Sequence, residues 1–341
     1  MVRVRSVTGD QIWLVRGYRL ARLVLTDPRF SRAAASRPDA PKVNTANPAP
    51  SSMMSADGAD HARLRRLVGG AFAPRRIAAL APDVQRLVDG LLDDLVTTGP
   101  PADLVARFAA PLPIAVISAL LGIPASDIDR VREWAGVLFD VSVSSARDKA
   151  RRSFALFAYM SKLIERKRAE PADDLLCSLI AAHDGGALSS TELVDLALAV
   201  LTAGYETTVG QLSLSVLAYL LDPVAGGPDV EEYLRLSPAT PTTFPRVATE
   251  DVVLGDVTVR AGDAVVVSIL HANVDGAGSH LTFGHGAHYC LGAGLARLQL
   301  GIALRSLLGR LPALRLAGAP DAVGWYEGLA TRGLTHLLVE W

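Results

Sequence analysis

The chain has 341 residues, 50% of them apolar, with 34 Lys and Arg set against 35 Asp and Glu. That balance leaves no basic footprint for nucleic acid or an anionic membrane surface, and a chain of this length buries roughly three quarters of its unfolded surface, so it needs no covalent staples. Only two cysteines, Cys177 and Cys290, are present; this excludes a disulfide framework and a zinc ribbon and, with no secretory leader pattern at Met1 to Thr8, predicts a cytoplasmic protein.

Val2 to Val7 and Gln11 to Val15 alternate around Thr8-Gly9-Asp10, which predicts a β-hairpin. Tyr18 to Thr26 reads as a short helix closed by Asp27-Pro28, and Pro38 to Pro50 as a loop. Helical patterns run from Asp60 to Leu95 with a break at Ala73-Pro74, then over Asp103 to Leu121, Ile128 to Phe139, the basic Arg147 to Arg168, and Asp173 to His183. Ser189-Ser190-Thr191-Glu192 is a capping box, in which hydroxyl and carboxylate each satisfy a free backbone N–H. Almost unbroken apolar residues follow to Leu221, and a helix apolar on all sides is a core helix. Its longest apolar run, Leu193 to Gly204, is short for a bilayer span and carries Asp195. A turn at Pro223 to Pro228, a short helix over Val230 to Leu236, strands within Val252 to Val267, a helix over Leu291 to Leu311, and strand-like Leu314 to Leu316 and Leu334 to Val339 complete the chain. Helix dominates and β-structure is minor.

The most specific local pattern is Phe283-Gly284-His285-Gly286-Ala287-His288-Tyr289-Cys290-Leu291-Gly292. Its glycines permit positive φ and close approach to a flat object. Cys290 immediately precedes a helix, whose free N–H groups favour a thiolate, the axial ligand that pushes electron density onto haem iron. This loop resembles the cysteine-loop signature of the cytochrome P-450 superfamily, of the soluble bacterial kind, and the similarity runs from about Trp13 to the C-terminus.

The resemblance implies a mainly α fold with small β-sheets, one domain over residues 1–341, and haem b held between the long helix and the Cys290 loop, with Cys290 as the iron ligand. It implies an enzyme that inserts one oxygen atom of O2 into a small organic substrate of secondary metabolism, with electrons from ferredoxin and ferredoxin reductase and no role for nucleic acid or membrane. In Ala203-Gly204-Tyr205-Glu206-Thr207-Thr208, buried polar residues are costly unless paired, and a Thr hydroxyl can bond back to the preceding turn. Gly204 is expected to leave room for a diatomic ligand, and the resemblance makes Glu206 and Thr207 an acid–alcohol pair that delivers protons.

Further roles come from the same resemblance. His61 and Arg65, one turn apart on a helix, with Arg246 and His288, match residues that hold the haem propionates. Ala203, Phe283, Gly284 and Gly292 match positions lying against the macrocycle. Glu232 and Arg235, at i,i+3, match a structural ion pair that buttresses the loop. Met53, Met54, Phe139, Val200, Thr243 and Phe244, beside Ala203, fall where the substrate pocket is expected. Cys177 sits at an apolar helix position and is expected to pack in the core.

The chain departs from the family in three places: little precedes the first strand, few residues separate Leu221 from Glu232, and Gly276 to Thr282 replaces a longer meander. Val274 also stands where an arginine is common. Two rival classes stay open. A peroxide-driven haem enzyme is disfavoured by the Glu206–Thr207 pair, and a catalytically silent relative is disfavoured by the intact Cys290.

Overall fold

The axis of the molecule is the helix Ser190–Leu221, 32 residues long. Its start is fixed as the sequence predicts: Glu192 N–H donates to Ser189 Oγ at 3.2 Å, and Ser189 N–H donates to Glu192 Oε2 at 2.8 Å. Two capped donors of this kind typically contribute about 1 kcal/mol. By length and composition this helix could cross a membrane, which the shorter run Leu193 to Gly204 does not suggest; it is packed as a core element, with 67% of its most apolar window buried. Gly204 is what allows one neighbour to approach. A Cβ there would lie 2.8 Å from Ile117 Cδ1 on the helix Pro111–Leu121.

The computed structural model describes residues 1–43, 52–136, 146–222, 229–327 and 330–341. The turn expected at Pro223 to Pro228, the later part of the Pro38 to Pro50 loop, and Phe139 with the end of its helix lie outside those residues.

One five-stranded sheet joins distant parts of the chain in the order Val2–Arg5, Gln11–Val15, Ala264–Val267, Arg246–Ala248, Phe30–Ser31. The hairpin forms as expected, and its second strand pairs in parallel with Ala264–Val267. The stretch Val252 to Val267 therefore divides. Val252–Leu254 and Val257–Val259 pair with each other, turning at Gly255 (φ 65°), while Ala264–Val267 joins the large sheet.

The expected helix from Asp103 to Leu121 is corrected. Ala102–Asp103 is a strand against Leu338–Glu340, Val105–Ala109 is a π-helical turn, and the α-helix begins only at Pro111. Pro111 and Pro113 lack the N–H that an α ladder would need, so proline stands where a helix starts rather than within one. Leu334 to Val339 likewise splits into two strands in different sheets, and Ile269–Asp275 is a helix with no counterpart in the sequence-based expectation. The remaining helices follow the expected order, with Ala293–Arg310 against Ala81–Thr98 closing the side next to the cysteine loop.

Candidate functional site

The Cys290 loop is held in shape by its backbone. Gly284 and Gly286 take φ of 73° and 72°, and a Cβ at Gly286 would lie 2.7 Å from the carbonyl oxygen of Leu25. Tyr289 N–H donates to Gly286 O at 3.0 Å, and Cys290 N–H donates to Phe283 O at 2.8 Å. The turn presents the sulfur beside the start of Ala293–Arg310.

A polar network behind the loop fixes its approach. Arg235 donates to Glu232 at 2.6 and 2.8 Å and to the carbonyl of Asn273 at 3.3 Å. Asn273, fully buried, accepts from Leu281 N–H at 2.7 Å and donates to Thr282 Oγ1 at 3.0 Å. The Glu232–Arg235 pair is thus a buttress, connected to the loop through Asn273. Its neighbour Glu231 forms a second tie that sequence reasoning missed. Arg297 donates to Glu231 at 2.6 and 2.9 Å while its guanidinium lies 4.5 Å above the Phe283 ring.

A cavity of about 320 Å³ lies between the central helix and this loop. It is bordered by Val200, Ala203, Gly204 and Thr207 from the helix and by Phe283, Gly284, His288, Cys290 and Gly292 from the loop. Met53, Met54, Thr243, Phe244, His61, Arg65 and Arg246 also border it. Every candidate site residue within the described residues is therefore on this wall except Glu206. The Glu206 carboxylate is turned toward Gly136, where a Cβ would lie 3.3 Å from its Oε2. Gly204 is corrected in part, because its missing side chain makes room for Ile117, although its backbone does reach the cavity.

Thr207 donates to the carbonyl of Ala203 at 2.7 Å, and Thr208 donates to that of Gly204 at 3.1 Å. Both bonds run back one turn, as expected for hydroxyls inside an apolar helix.

One end of the cavity is basic. His61 and His288 stack with ring centroids 4.1 Å apart, and His288 Nε2 lies 3.6 Å from Asp57 Oδ1. Burial lowers the pKa of His61 to about 4, and the positive charges of His288 and Arg65 push the same way. Arg246, 6% exposed, donates to the carbonyl of Phe30 at 3.0 Å. Arg32, which sequence reasoning missed, is 4% exposed and belongs to the same wall. No sequence signal marks it; Ser31, Ala33 and Ala34 beside it are an ordinary helix start.

At Cys290 two influences oppose each other. Burial raises its thiol pKa, and the Gly292 N–H together with Arg65 and Arg297 offsets this only in part. As a residue Cys290 is exposed, because its side chain borders open cavity space although protein surrounds it. A sulfur bordering a cavity with a basic end fits a ferric haem carrying two carboxylates, and coordination to a metal deprotonates a thiol. Cys177 corrects the expectation of a core position: it is half-buried, outside the hydrophobic clusters of the described residues, and accepts from Ala172 N–H at 3.2 Å.

The fold and this site define a haem-thiolate protein. A family model for cytochrome P450 matches residues 229–277. Nocardicin C N-oxygenase of Nocardia uniformis subsp. tsuyamanensis is 40% identical, with alignment covering 100% of this chain and 92% of that protein. Mycinamicin IV hydroxylase/epoxidase of Micromonospora griseorubida is also 40% identical, over 99% and 92% respectively. The solved structure of cytochrome P450 TxtC superposes with a TM-score of 0.92 at 32% identity, covering 100% of this chain and 96% of that one.

The chain belongs to the cytochrome P450 family. It is a monooxygenase that uses protoporphyrin IX haem, acts on an organic substrate with O2, and takes electrons from redox partners. The alignment with the N-oxygenase spans 366 positions against 341 residues here, so that relative has stretches this chain lacks.

Proposed function

We propose that this protein oxidises a mainly apolar metabolite of bacterial secondary metabolism, in the cytoplasm, as one domain over residues 1–341 supplied with electrons by a ferredoxin and its reductase. The supporting observation is that the Cys290 loop and the Thr207 hydroxyl border one cavity from two different elements. Relatives named for the oxidation of nocardicin C and mycinamicin IV support the substrate class.

In this reading Cys290 binds the iron as thiolate, and His61, Arg65, Arg246 and His288 receive the propionates. Ala203, Phe283, Gly284 and Gly292 lie along the macrocycle. When bound, the haem supplies the activation of dioxygen that places one of its oxygen atoms in the substrate. Thr207 already donates to Ala203, so its oxygen keeps lone pairs free to accept a proton-bearing group from the cavity. Glu206, behind the wall, brings protons from the Gly136 side. Met53, Met54, Val200, Thr243 and Phe244 orient the substrate and exclude water.

The test is a spin-state binding screen over candidate metabolites, followed by turnover of the best binder under labelled dioxygen with ferredoxin, reductase and NAD(P)H. One labelled oxygen in the product is expected. Product formed only with added peroxide and never with the reductase system would replace this reading with a peroxide-driven enzyme.

A further inference from the structure

The strand Phe30–Ser31 pairs antiparallel with Arg246–Ala248, in the register Phe30 to Ala248 and Ser31 to Val247. The next residue, Arg32, opens the helix Arg32–Ala35, and the charge of Arg246 acts on it. Two arginines, 4% and 6% exposed, thus lie on neighbouring segments at the basic end of the cavity. A buried charge without a counter-ion is costly.

The protein accounts for only part of the Arg32 guanidinium. Its Nε donates to the carbonyl of Met54 at 2.9 Å, and its Nη1 donates to the carbonyl of Pro245. The plane stands 5.0 Å from the Phe244 ring. Nη2 is buried and has no partner among the described residues. The carboxylate whose charge acts on Arg32, Asp57, is engaged by Ser31 Oγ at 2.6 Å and by Ala33 N–H at 2.9 Å. Setting the histidines aside, three guanidiniums (Arg32, Arg65 and Arg246) border the cavity, and among the described residues Asp57 is the carboxylate whose charge acts on Arg32 and Arg246, which leaves two positive charges unbalanced.

We infer that Arg32 binds a carboxylate at the basic end of the cavity, through the buried Nη2 that the protein leaves unpaired. Two sources share this chemistry: a haem propionate, or a carboxylate on the substrate. The charge count favours the propionate, since a dicarboxylate neutralises the excess with no further anion. The inference rests on the haem reading above and adds a residue to it. Arg32 is also tied by hydrogen bonds to the Met54 and Pro245 backbones, so the same side chain links the substrate wall to the cofactor end.

The experiment compares holoenzyme loaded with protohaem against holoenzyme loaded with its dimethyl ester, following release to excess apomyoglobin. Arg32→Gln is expected to speed protohaem loss about tenfold or more, the usual effect of losing a hydrogen bond to a charged group. It should leave loss of the ester unchanged, and Arg32→Lys should be intermediate. If protohaem loss is unaltered but Arg32→Gln abolishes a preference for 4-phenylbutyric acid over its methyl ester in spin-state titrations, the carboxylate is the substrate's. Equal acceleration of protohaem and ester loss, or no change in either assay, overturns the inference and leaves Arg32 a structural strap. Arg246→Gln is the control: if it also fails to distinguish the two haems, the propionate reading itself fails.

Discussion

Thr207 and Ala203 are joined across one turn of the central helix by a hydrogen bond of 2.7 Å from hydroxyl to carbonyl. The bond fixes the rotamer of a hydroxyl on the cavity wall, whereas the adjacent Glu206 faces Gly136. Thr207→Ala should therefore keep haem and substrate binding but divert electrons to free hydrogen peroxide. Glu206→Gln should slow turnover by about 10²-fold, the lower end for losing a positioned proton-transfer group, with substrate affinity unchanged. The check is product and peroxide measured per NAD(P)H consumed; intact coupling in the first variant and an intact rate in the second would remove both residues from proton delivery.

Cys290→Ser should abolish the red-shifted Soret band of the reduced carbon monoxide adduct. Cys177→Ser should keep it, because Cys177 sits at the start of the helix Leu175–Asp184, away from the cavity wall. Loss of the band in the second variant alone would reverse the assignment.

Arg246 is buried and Arg65 half-buried. Truncating one side of a buried charge pair costs about 2–5 kcal/mol, which corresponds to a haem release rate at least about 30-fold faster. Arg246→Ala should reach that figure, and Arg65→Ala should fall short of it because solvent can replace part of its role. Release at the wild-type rate from both variants would mean that neither holds a propionate.

Glu231 gives a pH signature. Its bond from Arg297, more than that from His280, lowers its pKa from 4.5 to about 2. A carboxyl depressed in the folded state contributes stability above its unfolded pKa and loses it as pH falls through the folded one. Glu231→Gln should thus destabilise by up to about 1 kcal/mol at pH 7, the range for an exposed pair. Between pH 4.5 and about 2 the gap to wild type should close. Urea unfolding across that window measures it, and a gap independent of pH would assign the loss to packing on Phe283.

The face behind Cys290 is basic and hollow. Arg66, Arg75 and Arg76 are exposed. Arg65, Arg297 and Arg305 border a depression of about 680 Å³ together with Phe72 and Tyr289. One-sign charge steers an opposite partner, and salt screens it over about 10 Å at 0.1 M. Reduction by an acidic ferredoxin should therefore slow at least about tenfold on raising salt and on reversing Arg66 and Arg76 together. Stopped-flow reduction over a salt series is the measurement; rates indifferent to both changes would place docking elsewhere.

What the sequence made legible was local. The loop Phe283 to Gly292 carries its own turn chemistry, and the central helix announces itself by its capping box and apolar run. The ion pair at Glu232 and Arg235 was readable because i,i+3 spacing on a helix brings the side chains together. What stayed hidden depends on distant pairing. Arg32 gains meaning only when Ser31 meets Val247, and Glu231 only when Arg297 arrives from another helix. The side on which Glu206 lies could not be read from an almost uniformly apolar helix, because the pattern supplies no preferred face. The π-helical turn at Val105–Ala109 was masked by an apolar run that suits a helix of either pitch.

The parallel pairing of Gln11–Val15 with Ala264–Val267 sets an order on synthesis. A ribosome adding roughly 5–20 residues per second separates those two strands by tens of seconds. Through that interval the hairpin has an open edge and Phe30–Ser31 lacks its ladder partner, Arg246–Ala248. The hairpin is thus built into its sheet long after it has been made. The wall that carries Arg32 and Arg246 waits for Ala264–Val267, and the cysteine loop follows it in the chain, so the nascent chain can hold haem only after both have emerged.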